Sequence, residues 1–148
     1  MAFTCREAAA ADQARVVELL AAQLGEHSLA PARTALETAA AALIGDPRLG
    51  RIFVAEIGGR IVGVAAMSWS FSLEHGGRAA WLDELYVVPE HRGGGFGTAL
   101  LEVARAAARA GGALAMDLEV EAGHERVSSL YERHGFSRHQ RQRWFVRL

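Results

Sequence analysis

The sequence predicts an α/β (α+β) fold in which a central sheet of about six to seven strands is flanked by helices, in the order β-α-α-β-β-β-α-β-α-β-β. Three observations carry that prediction. Two apolar, β-prone runs, residues 52–57 and 60–69, flank Gly58-Gly59, the two-residue signal of a tight hairpin. A third such run, residues 81–88, halts at Pro89 and passes through a glycine-rich turn into a stretch with helical periodicity. Residues 114–121 alternate strictly, with Leu114, Met116, Leu118 and Val120 on one face and Asp117, Glu119 and Glu121 on the other.

A short strand over residues 3–7 opens the chain. It leads to a helix from about Asp12, whose Val16, Leu19, Leu20 and Leu24 share a face and whose stop is Gly25. Pro31 suits the first turn of a second helix, where its missing N–H costs nothing. Leu36, Ala39, Ala40 and Leu43 form that helix's apolar stripe, and Gly45-Asp46-Pro47 ends it. After the hairpin and the third strand, Leu100, Val103, Ala104, Ala107 and Ala108 recur at the spacing of one buried helix face, closed by Gly111-Gly112. Val127, Leu130, Tyr131 and His134 share one face of a late helix, which turns Tyr131 inward. A final hairpin over residues 137–146 completes the chain. With 148 residues, 51% of them hydrophobic, and no repeat or linker, the chain predicts one domain over residues 1–148.

The glycine-rich turn carries the chemistry. Gly93, Gly94, Gly95 and Gly97 crowd behind Arg92, between a strand and a helix. Such a turn brings backbone N–H groups to one point with no side chains in the way, and the helix adds the positive end of its dipole. That is a cradle for phosphate oxygens. A bare flexible connection is the alternative, and four glycines there would only weaken the fold. A Walker loop is excluded because the chain has no lysine. The dinucleotide fingerprint fails too, since its last glycine position falls on Thr98 or Leu100.

Arg92, Gly95 and Gly97 fit the pattern Arg-x-x-Gly-x-Gly, and residues 127–136 read VSSLYERHGF. Together these segments resemble the acyl-CoA pyrophosphate loop and the late tyrosine helix of the GNAT family of N-acetyltransferases. The resemblance spans most of the chain and implies a GNAT-like mixed central sheet with acetyl-CoA as co-substrate and no metal. It implies that Arg92, Gly93, Gly94, Gly95, Phe96, Gly97 and Thr98 hold the pyrophosphate. Leu85, Tyr86 and Val87 would pair with the pantetheine arm like an extra strand, one of their N–H groups serving as oxyanion donor. Tyr131 would protonate the departing thiolate, although a core tyrosine with a satisfied hydroxyl is the plain alternative. Where the family often has asparagine, seven residues before the tyrosine, this chain has His124, a cofactor contact or a surface histidine.

Amine acetylation also needs a base. Asp83 and Glu84 lie in the strand entering the loop, where alternation sends them to opposite faces and only one into the acceptor cleft. Relatives acting on di- and polyamines carry Glu-Asp here, and this chain has Asp-Glu. The expected acceptor is therefore the primary amine of a small, cationic molecule; a peptide N-acetyltransferase and a non-catalytic acyl-CoA-binding regulator are the rival readings.

The remaining residues exclude more than they add. A net charge of −1 argues against a nucleic-acid or membrane-surface role. Cys5 is the only cysteine, which rules out disulfide scaffolds and makes direct transfer preferable to a cysteine intermediate. His27, His75, His91, His124, His134 and His139 show no metal-ligand spacing along the chain. His91 is expected at the loop surface, and His75 in a turn that could line the acceptor pocket. Trp69, Phe71 and Trp81 are expected in the core, with a pocket wall as the other reading. Without a signal-like or long apolar segment the default compartment is the cytoplasm, and a homodimer is open.

Overall fold

The computed structural model describes residues 2–27, 30–121 and 123–148. Five strands form one sheet in the order β1-β2-β3-β4-β5: β1 Thr4–Glu7, β2 Gly50–Ile57, β3 Arg60–Ser72, β4 Gly77–Val87 and β5 Met116–Leu118. The first four pair antiparallel, and β4 pairs parallel with β5. The parallel step needs a crossover, supplied by α3, Phe96–Ala110. Helices α1, Gln13–Gly25, and α2, Arg33–Gly45, follow β1, and a short α4, Ser128–Arg133, follows β5. None of the helices among the described residues is long and apolar enough to cross a membrane.

Each face of the sheet buries one set of helices. Val16 and Leu20 of α1 and Leu36 of α2 pack on Ile52, Val54, Val64 and Ala66. On the other face Phe96, Leu100, Leu101 and Ala104 of α3 pack on Phe53, Ala65, Met67 and Leu82. The stripes of α1 and α3 pack into the core, whereas the α2 stripe is buried at Leu36 and Ala40, half-buried at Leu43 and exposed at Ala39. The β2–β3 hairpin turns through Gly58 and Gly59, at φ of 55° and 75°, a positive pair that two-residue hairpins demand.

The order of elements follows the sequence reading through α4 and then departs from it. Residues 137–148 form no strand, so the expected final hairpin is absent and the sheet has five strands. The tail is tied instead by Arg138 to Glu132, Arg141 to Glu74 and Arg143 to Glu119, while Trp144, Phe145 and Val146 stay exposed. A hairpin needs an edge to extend, and β5 offers only three residues. β5 is short because β4 pairs with it only over Ala80, Trp81 and Leu82. Leu114 and Val120 are accordingly exposed, although the alternation placed them inward with Met116 and Leu118. Pro31 sits just outside α2, whose N-cap is Ala32. Val127 ends a 3-10 turn and is exposed rather than on the inward face of α4. Phe71 is also exposed, not core.

Candidate active site

The glycine loop has the geometry its composition demands. Gly93 and Gly95 stand at φ of 80° and 85°, the left-handed region that side chains rarely adopt, and Gly95 is the N-cap of α3. A Cβ on Gly94 would sit 2.9 Å from the Phe96 ring. No side chain caps the helix, so its first N–H groups are left pointing out of the turn. Phe96 itself is buried, stacked on Phe3 with ring centroids 4.2 Å apart and edge-on to His91 at 5.6 Å. Its side chain anchors the loop from below, leaving only its N–H for a ligand. His91 is thus half-buried against Phe96, not at the loop surface.

Strand β4 leads into this loop with one edge open. Beyond Leu82 it has no strand partner on the β5 side among the described residues, while on the other side it pairs with β3. The Val88 N–H donates to the Val62 carbonyl at 2.9 Å, which fixes the parity of the ladder. Tyr86 and Glu84 direct their backbone groups to β3, and Leu85 and Val87 direct theirs to the open edge. The Val87 carbonyl accepts a 2.9 Å bond from Arg92 Nε, and the Leu85 carbonyl a 3.3 Å bond from Gln23 Nε2 of α1. Tyr86 lends its ring instead, 5.4 Å from the Arg92 guanidinium. Gln23 Oε1 is buried with no partner among the described residues. An acceptor beside an open strand edge suits a ligand that brings an N–H group.

A β-bulge decides where the carboxylates go. Ala66 pairs with Glu84 and Met67 with Leu82, which leaves Asp83 as the extra residue of β4. Simple alternation would put Asp83 and Glu84 on opposite faces. The bulge instead puts both on the face of Ala66 and Ser68, so the expectation that only one reaches that side is corrected. Asp83 accepts a 2.8 Å bond from the Ser68 hydroxyl and lines a cavity of about 400 Å³ with Ser68, Ser70, Trp81, Glu119 and Arg143. Trp81 is therefore a cavity wall.

The same surroundings set the protonation of the site. Desolvation, with a smaller contribution from the Asp83 charge, pushes the Glu84 carboxyl up to about 7. Burial raises Asp83 as well, countered in part by the Ser68 hydroxyl and by Arg143. Tyr131 is half-buried, edge-on to Phe136 at 5.7 Å, and its phenol is raised by desolvation and then by the Glu84 charge. The glutamate, far from the tyrosine in sequence, thus acts on its phenol. His124 does not join them: it caps the 3-10 turn Glu125–Val127, its ring 5.4 Å from that of His27. His75 pairs with Asp117 at 2.9 Å, away from the lining of the Asp83 cavity. Gln23 and Ser68 escaped sequence reading. Gln23 had a signal, a polar residue on the apolar stripe of α1 next to Leu19 and Leu20, whereas Ser68 had none.

The glycine loop, the open strand edge, Glu84 and Tyr131 make up the candidate site. The chain matches the Acetyltransferase (GNAT) family over residues 14–136 and belongs to that family. It is 34% identical over 85 residues to the uncharacterised N-acetyltransferase YhfO of Bacillus subtilis (strain 168), a match that spans 57% of this chain and 57% of that protein. Among solved structures it resembles an integron cassette protein from the mobile metagenome of Cole Harbour Salt Marsh, with 30% identity and a TM-score of 0.84. That match covers 97% of this chain and 90% of the other. A predicted acetyltransferase of Clostridium acetobutylicum, solved with acetyl-CoA, shares the fold at 18% identity and a TM-score of 0.81, covering 98% of this chain and 96% of that one.

Proposed function

We propose that this protein is a single-domain N-acetyltransferase that moves an acetyl group from acetyl-CoA directly to a primary amine of a small, cationic acceptor in the cytoplasm. The observation that carries the proposal is the continuity of the open β4 edge at Leu85 and Val87 with the left-handed glycine cradle at the start of α3. The residues fit the co-substrate on two counts. Gly93 and Gly95 keep side chains out of a backbone phosphate cradle, and Gln23, whose Nε2 donates to the Leu85 carbonyl at the edge where an amide-bearing arm would lie, holds an unpartnered buried Oε1 among the described residues.

The chemistry assigns roles to the neighbours. A lysine-like amine with a pKa near 10.4 is neutral in only about one molecule in a thousand at pH 7.4, which adds roughly 4 kcal/mol to the barrier. Glu84, pushed up to about 7, is poised to take the amine proton near neutral pH. Asp83 draws a cationic acceptor toward the bulge, Glu119 in the cavity wall being already paired with Arg143. The amine nitrogen attacks the thioester carbon, and an outward N–H of Leu85 or Val87 holds the developing oxyanion. The carbon–sulfur bond then breaks as Tyr131 gives its proton to the thiolate, and the proton that the nitrogen sheds on becoming an amide restores the phenol; a raised phenol pKa keeps its proton available. Cys5 lies on β1 with its thiol pushed up by burial, a poor nucleophile. Direct transfer therefore needs no covalent enzyme intermediate.

The test is thiol release from acetyl-CoA with polyamines, aminoglycosides, amino acids and lysine peptides offered in parallel. Acceleration by a small cationic class is expected. Acceleration by peptides alone would move the acceptor to proteins, and binding without turnover would make the protein a CoA-sensing module.

A further inference from the structure

We propose that His27, Glu121 and His124 form a binding site for a divalent transition-metal ion of the zinc class. They come from two connections, His27 just beyond the end of α1 and Glu121 with His124 in the chain between β5 and the 3-10 turn before α4, so the distance from His27 to the other two conceals the cluster in the sequence. In the fold their potential ligand atoms all lie within 4.8 Å of one another. His27 Nδ1 is 3.2 Å from Glu121 Oε2, and the two imidazole rings have centroids 5.4 Å apart.

That geometry is close to a coordination sphere. Tetrahedral zinc with bonds of about 2.0–2.2 Å to histidine and carboxylate holds its ligand atoms roughly 3.3–3.6 Å apart. The His27–Glu121 pair, at 3.2 Å, is already close to that spacing. The widest separation in the cluster needs to close by at most about 1.5 Å, within reach of a side-chain rotation. The backbone prepares the pair on the β5 side: the His124 N–H donates to the Glu121 carbonyl at 3.0 Å, closing a turn through Gly123 at φ 92°. This turn brings Glu121 and His124 to one side as a chelating pair, and His27 completes it from the end of α1. Two imidazoles and one carboxylate suit zinc-class ions and leave a fourth position for water.

The site lies outside the reaction centre, yet it has a mechanical consequence for it. His124 leads through the turn Glu125–Val127 into α4, the six-residue helix that carries Tyr131. A metal on His124 and His27 would tie that short helix to α1. The geometry gives His124 this bracing role.

The experiment uses tag-free, chelator-stripped full-length protein titrated with Co²⁺ and then Zn²⁺, without acetyl-CoA, so its outcome is independent of the acetyltransferase reading. One Co²⁺ per chain is expected, with the visible absorption of a low-coordinate site, displaced by one Zn²⁺. His27→Ala, His124→Ala and Glu121→Gln should each weaken Zn²⁺ binding at least about tenfold, while His75→Ala and His139→Ala leave it unchanged. Circular dichroism checks folding, and the near-isosteric Glu121→Gln decides if an alanine variant fails to fold. Absence of stoichiometric uptake, or uptake indifferent to Glu121→Gln and both histidine substitutions, overturns the site.

Discussion

Burial and the charge of Asp83 hold the Glu84 carboxyl near 7, and Glu84 in turn holds the Tyr131 proton more tightly. If Glu84 is the base, kcat/KM for a cationic amine rises as pH passes through about 7, and Glu84→Gln removes that limb and lowers kcat on the order of 100-fold. A pH–rate profile of both proteins checks this. Stability responds with the opposite sign. Below the ordinary value near 4.5 the carboxyl is neutral in both folded and unfolded chains and costs nothing. Above 7 it is charged in both, and the fold bears the desolvation. Glu84→Gln is therefore expected to stabilise the protein by about 1–2 kcal/mol at pH 8, after discounting for partial solvation, and to leave it unchanged at pH 4. Denaturant melts at the two pH values measure the difference. Tyr131→Phe should cut kcat by about 100-fold with acetyl-CoA affinity nearly intact, since only the phenol proton is lost; calorimetric titration beside steady-state kinetics separates the two quantities.

At the scale of elements the site is a strand, a loop and a helix in register. Gly95→Val puts a β-branched residue at φ 85°, which costs about 1–2 kcal/mol and projects a side chain into the cradle. Loss of acetyl-CoA binding in calorimetry, with the fold retained by circular dichroism, is the expected outcome; retained affinity would remove the loop from cofactor binding. This part of the site was legible because glycine clusters, Pro89 and the period of α3 are local signals. The bulge at Asp83 was not. Residues 81–88 alternate plausibly as a regular strand, and nothing in their composition marks the extra residue that turns Asp83 and Glu84 to one face. Nor does sequence disclose that β4 and β5 part after Leu82, although that parting opens the edge at Leu85 and Val87.

Across the whole molecule, the two helical layers and the hairpin were readable from periodicity, because each buries a stripe against one sheet face. The core joining them is tight. Leu100 is fully buried between α3 and the sheet, where its methyl would meet a Cβ added to Gly63 at 3.0 Å. Leu100→Ala is expected to destabilise the protein by about 3 kcal/mol, read by chemical denaturation. The tail was misread for a reason that operates at this scale. Its alternation of arginine with Trp144 and Val146 is strand-like, but a strand also needs an edge, and three residues of β5 do not provide one. The residues that meet at the site come from α1, β3, β4, α3 and α4, so their convergence is a property of the fold. The most direct test of that convergence is to quantify acetylated amine and free CoA together by mass spectrometry, using wild-type protein and Tyr131→Phe with the best amine acceptor. One acetylated amine per CoA released, falling about 100-fold in the variant, is the predicted result. CoA release without acetylated amine, or an unchanged rate in Tyr131→Phe, would contradict the account.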